Sequence, residues 1–197
     1  MQALLLTLGC ATALAAPACA SAPLARIAPA SLVVPRKDLP GFTAAVVRLI
    51  TTSSAHYYDQ DKAAALKRDG FQEGVLEDLE MTGLRQGATS EAAVFRTARG
   101  AAQAFRAEVA EVLMPPTAEV RFTVPGIPGS LAIREMNLGD PPGYIQNADI
   151  SFSTGRCLED VAVSSFTRKP DSTTRQVDGA AVSGASALYR RVKRICA

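Results

Sequence analysis

Four carboxylates crowd one short run of the chain: Glu73, Glu77, Asp78 and Glu80. Read as a strand, the run puts Glu73 and Glu77 on one face and Asp78 and Glu80 on the other, because successive side chains alternate. Paired carboxylates do acid and base work in glycoside hydrolysis, or hold a divalent ion. No Asn- and Gly-rich ion loop accompanies these four, so the plainer expectation is a solvated strand face.

His56 is the one histidine of the chain, beside Tyr57 and Tyr58. A single His with no second His or free Cys does not build an ordinary zinc site, and a hydrolytic triad needs it near a Ser and a carboxylate. The segment Gly126-Ile127-Pro128-Gly129-Ser130 carries glycines, but its prolines remove amide donors that a phosphate cradle needs, and no Lys-Ser/Thr pair follows. It reads as a turn. Gly-x-Ser-x-Gly is absent as well, so the serine-hydrolase elbow has no candidate. Nothing here calls for a cofactor or a resident metal, and no catalytic residue is assigned.

Of the four cysteines, Cys10 and Cys19 fall in or at the end of an apolar N-terminal run, leaving Cys157 and Cys196. An even remainder in an oxidising compartment reads as one disulfide, and closing so long a loop stabilises a fold by roughly 3 to 4 kcal/mol in the chain-entropy model. Arg190, Arg191, Lys193 and Arg194 form the densest charge feature. They are a candidate contact for an anionic surface, although a helix C-terminus attracts cations by its dipole alone. A net charge of +2 and the absence of Trp argue against a nucleic-acid surface.

These residues must be positioned by a domain of ordinary size. The chain has 197 residues, 48% of them hydrophobic and 20% charged, a balance that supports one packed core. A strand is expected from Phe42 through Ile50, then a helix with its cap at Ser53 or Ser54, ending at Lys67, Arg68 and Gly70. Further strands are expected over 71–81 and 90–98. Gly100 then separates the second strand from a helix in which Ala101, Phe105, Val109, Val112 and Leu113 recur at helical spacing. Strands over 119–124 and 130–135 follow, then a hairpin of 150–152 with 157–166, and a closing helix within 172–195. Runs of this kind predict an α+β domain, a mostly antiparallel sheet with about three helices packed against it, spanning residues 38–197.

Ahead of that domain, residues 3–16 carry no charge and are dominated by Leu and Ala, the length of a signal-peptide core. Ala16-Pro17-Ala18 and Ala18-Cys19-Ala20 both meet the A-x-A rule, so residues 1–20 read as an export signal. Cys19 offers a site for lipid attachment and hence a membrane tether. Residues 21–37, rich in Ala, Pro and Ser, read as a flexible arm.

The order Leu-Pro-Gly-Phe, Gly-Phe-x-x-Gly at Gly70 to Gly74, Val-Phe-Arg-Thr-Ala, Pro-Gly-Ile-Pro-Gly-Ser and Phe-Ser-Thr-Gly-Arg resembles uncharacterised exported proteins and lipoproteins of high-GC Gram-positive bacteria. The resemblance covers residues 38–195 and its motifs are turns and core positions, so it implies no catalytic residues. Export, a packable core and no reactive constellation together lead to the expectation of a non-catalytic binding module, secreted or held at the cell envelope, for an unknown protein or small ligand. The rival expectation is an extracytoplasmic hydrolase working through Glu77 or Asp78. Intact mass of the mature protein from its host, with and without reductant, is expected to show cleavage before Cys19 or before Ser21 and a mass gain on reduction. A full-length mass, unchanged by reductant, would contradict both the signal and the disulfide.

Overall fold

The computed structural model describes residues 27–28, 31–51, 60–81, 86–112, 120–138, 143–169 and 174–197. Seven strands form one antiparallel sheet: β1 (Phe42–Thr51), β2 (Phe71–Met81), β3 (Gln86–Phe95), β4 (Val120–Arg121), β5 (Leu131–Leu138), β6 (Tyr144–Thr154) and β7 (Cys157–Thr167). Their spatial order is β1-β2-β3-β7-β6-β5-β4. Two meanders, β1 to β3 and β4 to β7, therefore meet where β3 pairs antiparallel with β7. Helix α1 (Gln60–Arg68) joins β1 to β2, α2 (Ala98–Val112) joins β3 to β4, and α3 (Thr174–Ile195) closes the chain. This is the expected α+β architecture. No helix among the described residues is long and apolar enough to cross a membrane.

Alternation along the strands gives the sheet two unlike faces. One face carries Val75, Leu79, Ala88, Ala92, Ile150, Phe152, Val161 and Val163, all buried in the main core. Helix α3 lies on it through Val177, Ala181, Ala185, Leu188 and Val192, a stripe at helical spacing. Gly184 permits close approach, since a Cβ there would meet Leu39 Cδ2 at 3.2 Å and Val161 Cγ1 at 3.4 Å. At its C-terminal end α3 is tied to β7 by the Cys157–Cys196 disulfide, with Cα atoms 5.7 Å apart. The expected pairing is thus present, and it pins the last turn to the first residue of a strand.

The expectation of a flexible arm up to residue 37 needs correction in its second half. Ile27, Leu32, Val33 and Val34 are buried in the main core. The Val34 amide donates to Ser90 Oγ at 3.0 Å, and the Arg191 guanidinium donates to the Val33 carbonyl. The packed unit thus begins before Asp38, because Ser31-Leu32-Val33-Val34 fills the edge of the core beside α3. Residues 1–26, Cys10 and Cys19 among them, lie outside the described residues, as does His56.

Other differences are local. Gly100 lies in the first turn of α2 rather than before it: Thr97 caps the helix, accepting from the Gly100 amide at 3.1 Å. A Cβ at Gly100 would meet the Asp69 carbonyl oxygen at 2.0 Å, so glycine is required by packing and not by a turn. The hairpin strands also run longer than expected, reaching back to Tyr144 on β6. Gly70 ends α1 with φ +86°, as its place after Lys67 and Arg68 implies.

Because Leu32 is fully buried, Leu32→Ala is expected to destabilise the protein by about 3 kcal/mol in urea denaturation, as a core deletion does. A loss of about 0.5 kcal/mol or less, the surface value, would restore the reading of these residues as a tether.

Candidate functional site

Among the described residues, the second face of the sheet is only partly covered. Register places side chains in rows that run across the strands. One row is Glu80, Gly87, Ser164, Asn147 and Glu135, with Phe166, Ile145 and Asn137 beyond it toward the outer end. The next is Val46, Asp78, Thr89, Ala162, Asp149 and Ile133. Small residues stand in the middle of both rows and longer ones at the flanks, so the surface is concave. These residues line a cavity of about 560 Å³.

Four carboxylates line this groove, Asp78, Glu80, Glu135 and Asp149, against one guanidinium, Arg48. Arg48 is already engaged, donating to Asp78 Oδ2 at 3.1 Å. The groove is therefore electronegative, with Asn147, Thr89 and Ser164 adding neutral donors and acceptors.

One row further in lie Leu76, Glu91, Asp160, Ser151 and Leu131, which run under the C-terminal half of α2. Here α2 sends Glu108 onto the sheet, where Ser151 Oγ stands 2.5 Å from Glu108 Oε1 and 2.9 Å from Asp160 Oδ2. Asp160 is in turn hydrogen-bonded to Asp149 in the groove wall. Desolvation, helped by the neighbouring charge of Asp160, pushes the Glu108 carboxyl up to about 7. Desolvation and the Asp149 charge hold Asp160 well above the ordinary carboxylate range, and Asp149 is raised chiefly by desolvation. Beneath the N-terminal turns of α2, a second apolar cluster of Ile50, Phe71, Ala93, Phe95, Ala101 and Ala104 fills the remaining face.

The carboxylates singled out in sequence divide as strand geometry requires. Asp78 and Glu80 reach the groove, whereas Glu77 lies on the opposite, α3-covered face at 6% exposure. Glu77 and Asp78 thus do not converge on one site. Glu77 has company there: Glu159 is fully buried, neither of its carboxylate oxygens has a hydrogen-bond partner among the described residues, and burial pushes its carboxyl well above the usual range, with Arg191 the opposing charge.

That contact corrects the basic cluster. Arg191 turns inward to the Val33 carbonyl, and its Nε is buried. Arg190, Lys193 and Arg194 remain exposed, with Lys193 5.6 Å above the Tyr189 ring. An anionic surface would meet three cations there, not four. Glu108, Asp149 and Asp160 were not visible as a set in the sequence, since they come from α2, β6 and β7 and only the register joins them.

A carboxyl whose pKa is higher folded than unfolded binds more protons in the folded state, so stability is lost as pH rises from the ordinary glutamate value near 4.5 to the folded value. For Glu108, with its folded value near 7, the loss is about 3 kcal/mol. Urea midpoints are expected to fall from about pH 5 to about pH 8, and Glu108→Gln to flatten part of that slope. Stability that is constant or rises over this range would contradict the assignment.

No protein-family model matches the chain, and no curated protein matches it. Among solved structures, it is similar to the extracellular domain of PknH from Mycobacterium tuberculosis, with a TM-score of 0.55 and 12% sequence identity over 82% of this chain and 94% of that one. The likeness is one of fold.

Proposed function

We propose that this chain is an exported, non-catalytic binding module, and that the open groove on its sheet takes a ligand carrying positive charge. The observation that carries the reading is the lining of the groove: four carboxylates to one guanidinium, the latter already paired with Asp78. A cation entering there meets carboxylates on β2, β5 and β6 at once. Among the described residues the groove is partly open to solvent, which suits binding better than a reaction that must exclude water.

Export is supported by the apolar, uncharged run at residues 3–16 with its A-x-A ends. Likeness to a domain described as extracellular is consistent with that placement. A disulfide closing the fold suits an oxidising compartment. A lipid on Cys19 would hold the module at the envelope. Arg190, Lys193 and Arg194 stand on α3, on the opposite side of the sheet from the groove, where they are free to meet an anionic surface while the groove is occupied.

Titration calorimetry with spermidine at low salt tests the groove. Saturable binding is expected, weakened by salt, and weakened about five- to tenfold in the double variant Glu80→Gln, Glu135→Gln, since each exposed ion pair contributes up to about 1 kcal/mol. No saturable binding, or equal affinity in the double variant, would refute the reading.

A further inference from the structure

The contact between α2 and the sheet can be read as a count of protons. Three oxygen-to-oxygen contacts run in a chain: Glu108 to Ser151 at 2.5 Å, Ser151 to Asp160 at 2.9 Å, and Asp160 to Asp149. Each needs one hydrogen between its oxygens. The Ser151 hydroxyl supplies one, and ionised carboxylates supply none. Two of the three carboxyls must therefore carry a proton for the chain to hold. The count alone allows the chain to run either way; because the bond between Asp160 and Asp149 favours the protonated form of Asp160, Asp160 is the donor to Asp149, so the one Ser151 hydrogen goes to Asp160 and protonated Glu108 donates to Ser151. The single negative charge then rests on Asp149 in the groove wall.

Removing those protons does more than delete two hydrogen bonds. It leaves three carboxylates facing one another across a desolvated interface, one of them on the helix and two on the sheet, where like charges repel strongly. Other charged groups face this point. Glu91 on β3 adds negative charge near Glu108, Asp149 and Asp160, Glu135 on β5 adds it near Asp149, and Lys62 on α1 is the opposing cation near Glu108. Among the described residues, carboxylates outnumber cations in this set.

The mechanics are asymmetric. The N-terminal turn of α2 is clamped by the Thr97 cap, by the close approach of Gly100 to the Asp69 carbonyl, and by Ala101 and Ala104 in the apolar cluster. Glu108 sits two turns further on, and is the α2 side chain that hydrogen-bonds the sheet through Ser151.

We propose that the chain Glu108, Ser151, Asp160 and Asp149 is a pH-operated latch, holding the C-terminal half of α2 on the sheet while its two protons are present and releasing it when they are lost. The raised carboxyl of Glu108 puts the change near neutrality, within reach of an extracellular compartment. Release would uncover the inner row beside the groove, so the latch regulates the shape of the groove's inner wall. The proposal does not depend on which ligand the groove takes.

Hydrogen exchange of the intact protein, corrected for the intrinsic pH dependence of exchange, tests it. Protection of the amides at 105–111 is expected to fall about tenfold or more between about pH 5.5 and about pH 8.5, relative to β6 and β7, while 101–104 stays protected. Glu108→Gln, whose amide donates to Ser151 without a titrating proton, is expected to hold 105–111 closed at both pH values. Wild-type protection independent of pH, or an unaltered pH response in Glu108→Gln, would overturn the latch. Should that variant fail to fold, carboxyl carbon NMR of the wild type decides: a Glu108 midpoint near neutrality supports the latch, and one in the ordinary carboxylate range refutes it.

Discussion

One sheet with two unlike faces is the constraint on which everything else rests. In β7 the alternation sends Glu159, Val161 and Val163 to one side and Asp160, Ala162 and Ser164 to the other. Helix α3 and the segment around Leu32 to Val34 seal the first side, and the disulfide holds the end of α3 to the start of β7. A register slip of one residue would exchange the two sets of side chains, placing Asp160 under α3 and Val161 in the groove. The long antiparallel ladders of β2, β3, β7 and β6 make such a slip costly, so the chemistry of each face is set by the core.

The second face inherits its character from the lengths of the helices. Helix α3 has 22 residues and spans its side, whereas α2 has 15 and covers only the inner rows of the other. Among the described residues, what α2 leaves uncovered is the groove. What it covers divides into an apolar part under its first turns and a polar part under Glu108. Asp149 belongs to both regions, lining the groove and ending the hydrogen-bonded chain. Charge in the groove and the seating of α2 are therefore linked through one carboxylate.

Much of this was legible in the residues. Turn glycines, helix stripes and strand alternation located all three helices and the principal strands, and cysteine parity identified the Cys157 to Cys196 bond. Alternation alone separated Glu77 from Asp78. What could not be read were contacts made between distant segments. Leu32 and Val34 sit in a Pro- and Ala-rich stretch whose composition suggests a tether, and only the edge of the core beside α3 makes them buried. Arg191 belongs by sequence to a run of cations, but its turn of α3 faces the Val33 carbonyl and Glu159. Glu108, Asp149 and Asp160 are scattered over more than fifty residues, and their meeting is a product of strand register and the angle of α2. Gly100 looked like a separator because glycine ends helices; here it is excluded from being anything larger by the Asp69 carbonyl.

The central claim is that the uncovered half of the second face is where a ligand binds, and mapping amide chemical shifts during a spermidine titration tests it most directly. The account predicts perturbations concentrated at Val46, Asp78, Thr89, Asn147, Asp149 and Ser164, with α3 unaffected. Perturbations confined to α3, or spread without pattern over the surface, would contradict it.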